Sequence, residues 1–350
     1  MSHTRPLGEL RHADEGAFGG KSATLGELIA AEIPVPPGFA VSTAAFEAFV
    51  AEAGLGAMIA AELARTGSGD VDAIGAASQA IGQAMRSAPV PDAVREEVAA
   101  AYAGLAAAAR VDEPPVAVRS SALCEDSQDA TFAGQQETYL WVRGAEHICG
   151  AVRDCWVSLY SPPAISYRAR LGRTEAAMGV TIQLMVDAEV SGVLFTCNPV
   201  TGDPSMVAVN ASWGLGLAVV GGEVTPDDFL VSKVTREVVR EHVHPKEIEY
   251  VPDTGGRGAV RVDVPEERRA VPCLDAAALA ALVDVGGRVD SYFGCRQDVE
   301  WALARGRELP ESLFVVQARP VTALPRHEAA PASSALDLVM SAFGAAPKKD

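Results

Sequence analysis

Two neighbouring segments, Gln297-Asp298-Val299-Glu300-Trp301-Ala302 and Leu313-Phe314-Val315-Val316-Gln317-Ala318-Arg319-Pro320, constrain this chain more than any other feature. Both alternate polar and apolar residues, the pattern of strands with two unlike faces. Side chains two apart on a strand point the same way. Asp298 and Glu300 therefore share a face, as do Gln317 and Arg319. The run Arg305-Gly306-Arg307-Glu308-Leu309-Pro310 between the segments reads as a turn. If the strands pair, two carboxylates, an amide and a guanidinium meet on one surface. Oxygen ligands beside a fixed cation suit Mg²⁺ and a polyphosphate. Taken alone, the hairpin reads first as an exposed sheet face carrying a surface salt bridge.

The setting of this hairpin is a chain of 350 residues, 49% hydrophobic and 21% charged. That is globular composition with enough length for two or three lobes. The net charge of -17 argues against electrostatic binding of nucleic acid or of an anionic membrane. An anion such as ATP would have to be held by local cations and backbone N–H groups. No stretch is long and apolar enough to span a bilayer, and Met1–Pro6 lacks the apolar core of a signal peptide. Cysteines at 124, 149, 155, 197, 273 and 295 form no C-x-x-C pair. Free thiols and a cytoplasmic location are the expectation.

Residues 22–110 are Ala-rich, with helical spacing over Ser22–Glu32, Ala44–Ala53, Val71–Arg86 and Asp92–Ala109. From Val116 the pattern turns to strands: Val116–Arg119, Gln136–Val142, Val180–Val186, Ser191–Thr196, Met206–Ala211 and Phe229–Val234. Helical stretches near 145–158 and 163–171 interrupt them. Residues 251–273 read as a loop or small excursion, Ala276–Tyr292 as a helix, and 335–343 as a short helix in a linker-like tail. Strands and helices mixed without βαβ alternation predict an α+β fold.

Several segments carry chemistry. Gly19-Gly20-Lys21-Ser22 precedes the first helical pattern, where backbone N–H groups and a lysine suit a phosphate. It is not a P-loop, because that spacing requires Gly where Glu15 stands, and a helix-capping turn accounts for it equally. Val116–Arg119 runs into Ser120-Ser121, a strand ending on a guanidinium and two hydroxyls. Strand ends feeding polar loops often build ligand sites. Gly134, in Phe132-Ala133-Gly134-Gln135-Gln136-Glu137-Thr138, serves either a hairpin turn or close approach to a ligand.

Gly19-Gly20-Lys21, Val118-Arg119-Ser120-Ser121-Ala122, the Gly134–Thr138 loop, Ala164-Ile165-Ser166-Tyr167-Arg168, Asn210-Ala211-Ser212-Trp213-Gly214-Leu215-Gly216, Asp298-Val299-Glu300-Trp301 and Gln317-Ala318-Arg319-Pro320 occur in that order. Together, over about residues 15–323, they resemble the ATP-binding, ATP-grasp-type domain of the phosphoenolpyruvate synthase and pyruvate phosphate dikinase family. Rifampin phosphotransferase carries a similar domain. The resemblance implies a two-lobed α+β nucleotide-binding domain with a helical N-terminal part, lobes at 1–186 and 187–323, and a tail at 324–350. It implies ATP and Mg²⁺ as ligands. Lys21 and Arg119 would contact phosphates, Gly134 and Thr138 would lie along the triphosphate, and Gln183 would sit near the adenine. Glu300 and Gln317 would hold Mg²⁺, and Arg319 would clamp phosphate oxygens, with Arg119 and Arg319 as the catalytic cations.

The chain departs from the family pattern twice. Leu217 follows Gly-Leu-Gly where relatives commonly carry Glu. None of His3, His12, His147, His242, His244 and His327 stands in the Thr-x-Ser-His-Ala context of the family's phosphoacceptor. The expectation is therefore a dikinase-type phosphotransferase subunit that acts with a separate polypeptide carrying the acceptor His. The alternatives are an excised ATP domain of a longer enzyme, or a non-catalytic ATP-binding regulator.

Overall fold

A computed structural model describes residues 2–66, 70–122, 137–170, 176–253 and 258–321. Gly134 and the expected helix at 335–343 lie outside the described residues. Two antiparallel sheets organise the rest. The first contains β1 (Thr4–Pro6), β2 (Gly38–Val41), β3 (Val116–Ala122), β4 (Thr138–Val142) and β5 (Met178–Leu184), in the order β1-β2-β5-β3-β4. The second draws on β6 (Ala188–Phe195), β7 (Met206–Trp213), β8 (Asp227–Ser232) and β9 (Val238–His242). A two-stranded excursion, β10 (Ile248–Pro252) with β11 (Ala259–Asp263), follows. The hairpin β12 (Gln297–Ala304) and β13 (Leu313–Pro320) then completes the second sheet in the order β13-β12-β6-β7-β8-β9.

Alternation assigns each sheet one dry face. On β3, Val116 and Val118 are fully buried in a core with Val180 and Ile182 of β5. Helices Thr43–Glu52, Val71–Ser87, Asp92–Ala109 and Ala145–Ser158 cover that face, with Phe49 and Trp156 stacked 5.3 Å apart. In the second sheet, Leu194, Val209, Phe229, Val299 and Trp301 pack against Leu279, Leu282 and Val283 of the helix Ala276–Phe293. That helix is capped by Asp275, whose side chain accepts from Ala278 N at 2.8 Å, and ends at Gly294 with φ +66°. The other faces of the two sheets, which carry Arg119 and Glu300, meet across a cleft.

The chain changes sheet between Leu184 and Ala188, but the cores do not divide there. Leu7, Leu10, Phe18, Leu25, Leu28 and Ile33 pack with the second sheet. Val315 N donates to Pro34 O at 2.7 Å, and Arg288 donates to Glu32 O at 2.6 Å. Sequence position alone assigns these residues to the first lobe, while their burial is against the second sheet.

Several elements lie outside the sequence expectation: β1, β2, β10, β11 and the helix Gly56–Arg65. The short strands carry too few residues to show a period: β1 and β2 are held through the longer β5, and β10 and β11 pair with each other. The helix expected from Ser22 starts at Gly20, after a short helix at Glu15–Phe18. Lys21 is therefore in its first turn, not ahead of it. Among the described residues no single helix is long and apolar enough to cross a membrane.

Candidate active site

The hairpin pairs as its alternation predicts. Asp298 stands opposite Arg319, and Glu300 opposite Gln317. A register shift between Glu300 and Trp301 bends the strand at the carboxylate. Arg319 Nε donates to Asp298 Oδ2 at 2.8 Å. Asp298 is nearly buried, with 11% side-chain exposure, and burial holds its pKa above the ordinary aspartate value although Arg319 pulls the other way.

Arg119 is the residue that joins the sheets. β3 sends it off the wet face of the first sheet into the second. Its Nη2 donates to Gln317 Oε1 at 2.6 Å and to Glu300 Oε2 at 3.1 Å, and Nη1 donates to Val316 O at 3.0 Å. The pair is partly open to solvent, with side-chain exposures of 12% for Arg119 and 29% for Glu300. Thr138 is the partner of Arg119 on β4, and Gln183 is the partner of Ala117 on β5. Arg119, Ala117, Thr138 and Gln183 thus belong to one face of one sheet.

Between the sheets lies a cavity of about 200 Å³. At one end it is lined by Arg119, Thr138 and Glu300. The remainder is mainly apolar: Leu184, Met185 and Val186 of the segment joining the sheets, then Leu215, Leu217, Val219, Val220, Ala302 and Val316. A slot with an apolar body and a charged mouth suits a flat ring system bearing an anionic chain. Gln183 lines it, although its Nε2 donates to Pro36 O at 3.3 Å.

The structure brings Arg119, Thr138, Gln183, Glu300 and Gln317 together. Arg319 stands one strand step beyond Gln317, paired with Asp298. Lys21 is 4% exposed and does not line the cavity. Its helix is held against the end of β3 by Ser22, whose N–H donates to Ser121 Oγ at 3.3 Å and whose Oγ lies 2.7 Å from Thr181 Oγ1. Gly19 makes this approach feasible. At φ +83° it is in the left-handed region, and a Cβ there would lie 2.0 Å from Ser121 O. None of the described histidines lines the cavity. Sequence reasoning missed the apolar wall from Leu215 to Val220, although the run Leu215-Gly216-Leu217-Ala218-Val219-Val220 signals it by hydropathy.

Residues 15–338 match the protein family described as pyruvate phosphate dikinase, AMP/ATP-binding domain. The chain is 38% identical to the phosphoenolpyruvate synthase of Aeropyrum pernix, over 87% of its own length and 40% of that protein. It is 37% identical to a probable phosphoenolpyruvate synthase of Methanothermobacter thermautotrophicus, over 97% of this chain and 49% of the relative. A probable phosphoenolpyruvate synthase of Methanocaldococcus jannaschii is 38% identical over 91% of this chain and 26% of the relative. The chain thus spans a quarter to a half of the curated relatives it matches.

Proposed function

Because the chain belongs to the family of the pyruvate phosphate dikinase AMP/ATP-binding domain, we propose that it binds Mg²⁺-ATP between its two sheets and presents it to a histidine on a separate polypeptide. The observation that carries this reading is the Arg119 bridge, with one guanidinium from the first sheet on two oxygen ligands of the second. Glu300 Oε2 and Gln317 Oε1 already converge on a single positive nitrogen, as they would on a bound cation. Mg²⁺ is commonly held by one or two protein oxygens with substrate phosphates and waters completing the shell. The donor set fits. When bound there, the ion would neutralise phosphate charge.

In this reading Arg119 exchanges its carboxylate partner for phosphate oxygens. Arg319, one strand step further out, clamps the distal phosphates as a planar fork. Lys21 supplies a further positive charge, and Thr138, at the start of β4, lies along the triphosphate. The base occupies the apolar part of the slot near Gln183. The lobes that close are 1–186 and 187–323, with the N-terminal segment riding on the second. The partner's imidazole attacks the β-phosphorus, the bond to the α-phosphate oxygen breaks, and AMP leaves. The pyrophosphorylated histidine then loses phosphate to water. Such chemistry asks the ATP domain for positioning and charge compensation rather than a nucleophile of its own. The chain offers cations and oxygen ligands, and none of its histidines stands in the acceptor context.

The test is product analysis with labelled ATP. The protein alone is expected to bind ATP and form almost no AMP. With a protein carrying a Thr-x-Ser-His-Ala histidine, AMP should appear, and label from the β-position should move to that protein. ADP as product would sink the mechanism. Rapid AMP formation by the chain alone would remove the need for a partner. Binding that never leads to turnover with such a protein would favour the regulator.

A further inference from the structure

We infer that the nucleotide slot does not read the sugar 2′-hydroxyl, so that this chain accepts 2′-deoxy-ATP about as well as ATP, with Leu217 as the residue responsible. The inference rests on the nucleotide-site reading above. If the phosphates lie at Arg119 and Glu300, the base and sugar fall within the apolar remainder of the cavity.

Proteins that recognise a ribose hydroxyl usually place a carboxylate or amide against it. Among the described residues lining this cavity, Thr138 stands opposite Arg119 and Trp301 is packed into the second core, and the other polar side chains are committed elsewhere. Glu300 and Arg119 hold each other at the charged end. Gln183 donates to Pro36 O, and Ser191 Oγ donates to Gly214 O at 2.6 Å. The wall beside the sugar is Leu215, Leu217, Val219 and Val220. Part of its backbone is engaged too. The carbonyls of Gly216 and Leu217 accept from Val220 N at 3.0 Å and Gly221 N at 2.8 Å, and Leu215 N donates to Tyr250 O at 2.8 Å. The nearest acid along that segment, Glu223, does not line the cavity, and it accepts from Tyr250 Oη at 2.8 Å.

A wall of this kind discriminates weakly. A site built to hydrogen-bond a hydroxyl rejects the analogue lacking it, because its own polar groups are left unpaired. An apolar wall has no group to leave unpaired. It sets a hydroxyl against hydrocarbon, a modest penalty that falls on ATP rather than on the deoxy form. The short helix Leu217–Val220 presents Leu217 first, and Leu217 is only half-buried, so a polar side chain there could face the slot without entering the core.

The experiment is titration calorimetry of the full chain with Mg²⁺-ATP and with Mg²⁺-2′-deoxy-ATP, in the wild type and in Leu217→Glu and Leu217→Gln. The wild type is expected to bind the two nucleotides within about threefold of each other. Leu217→Gln, which adds hydrogen bonding without charge, is expected to move the ratio about tenfold toward ATP, and Leu217→Glu in the same direction. A wild-type preference for ATP above about tenfold would overturn the inference while leaving the nucleotide site standing. An unchanged ratio in both folded variants would overturn the role of Leu217. Failure of either nucleotide to bind the wild type would overturn the nucleotide-site reading, and this inference with it.

Discussion

Lys246 and Arg119 are both cations held by carboxylates, and their settings are opposite. Lys246 and Asp227 are wholly buried, with Nζ 2.5 Å from Oδ1. Lys246 also donates to His244 O at 2.8 Å, and Asp227 accepts the backbone N–H groups of His244 and Cys273. Four hydrogen bonds converge on this pair, and they tie together three segments distant in sequence. Arg119 instead reaches from one sheet to the other, borders a cavity, and buries its Nε without a hydrogen-bond partner among the described residues. The wholly buried pair is a fixture of the fold. The incompletely satisfied bridge has room to exchange partners, which is what a ligand site requires. Burial and completeness of hydrogen bonding therefore separate the two roles better than the presence of an ion pair does.

The strongest way to break this comparison is to remove Lys246. Lys246→Met should leave Asp227 buried and uncompensated, lowering stability by about 3–5 kcal/mol. Urea denaturation would show it as a lower midpoint. A midpoint unmoved by this change would mean that Lys246 is no more structural than Arg119. At the bridge the order of effects reverses. Arg119→Ala should cost about 1 kcal/mol of stability or less. It should weaken Mg²⁺-ATP binding by about 1.5–3 kcal/mol, because a charge-assisted contact is lost. Calorimetry beside denaturation separates the two quantities. Equal losses of binding in Lys246→Met and Arg119→Ala, both still folded, would erase the distinction.

Glu300→Gln sharpens the same contrast within the site. The fold should be intact, with stability changed by about 0.5 kcal/mol. The dependence of ATP affinity on Mg²⁺ concentration should flatten, since one anionic oxygen is gone. A titration of ATP at several Mg²⁺ concentrations would read this directly. The same steep dependence in the variant would place the metal elsewhere.

The smallest expected effect is a pH profile. Burial raises the pKa of Asp298 in the folded protein above its ordinary value. The folded state therefore holds this proton more tightly than the unfolded state does. Ionising Asp298 costs stability, and that cost is absent well below pH 4 and grows as pH rises through the raised value. Asp298→Asn keeps the site uncharged, while Arg319, 40% exposed, retains water in place of its partner. The stability of the variant relative to wild type should thus rise between pH 4 and pH 7, as read by urea denaturation across that range. A relative stability that falls over this range would show that Arg319 outweighs burial.

Parts of this arrangement are legible in the chain and parts are not. The pairs Glu300–Gln317 and Asp298–Arg319 follow from strand alternation, which is local and periodic. The long helices from 71 to 109 and from 276 announce themselves by apolar spacing in the same way. The Arg119 bridge does not, because it joins residues 181 and 198 positions apart that no period relates. Lys246 and Asp227 are invisible for another reason. Each sits among other charged residues, in Pro245-Lys246-Glu247 and Pro226-Asp227-Asp228, and nothing marks which of them turns inward. The helix start at Gly20 is equally hidden, since glycine has poor helix propensity and this turn is held by the contacts of Gly19 and Ser22 with Ser121 of β3.

The N-terminal segment, which precedes the first sheet's long strands yet lies in the second sheet's core, decides how this protein can be taken apart. The backbone passes from one sheet to the other near Asp187, an inviting place to sever it. A fragment ending there would carry Leu7, Leu10, Leu25 and Leu28 with nothing to bury them, and the complementary fragment would have a matching hole. Neither half should be soluble when expressed by itself. Supplied together, the halves have a reason to find each other, because the strap of one is the missing wall of the other. A cut near Pro34–Pro37 would instead yield a short peptide that could be added back in trans, with Lys21 arriving as a component to be titrated.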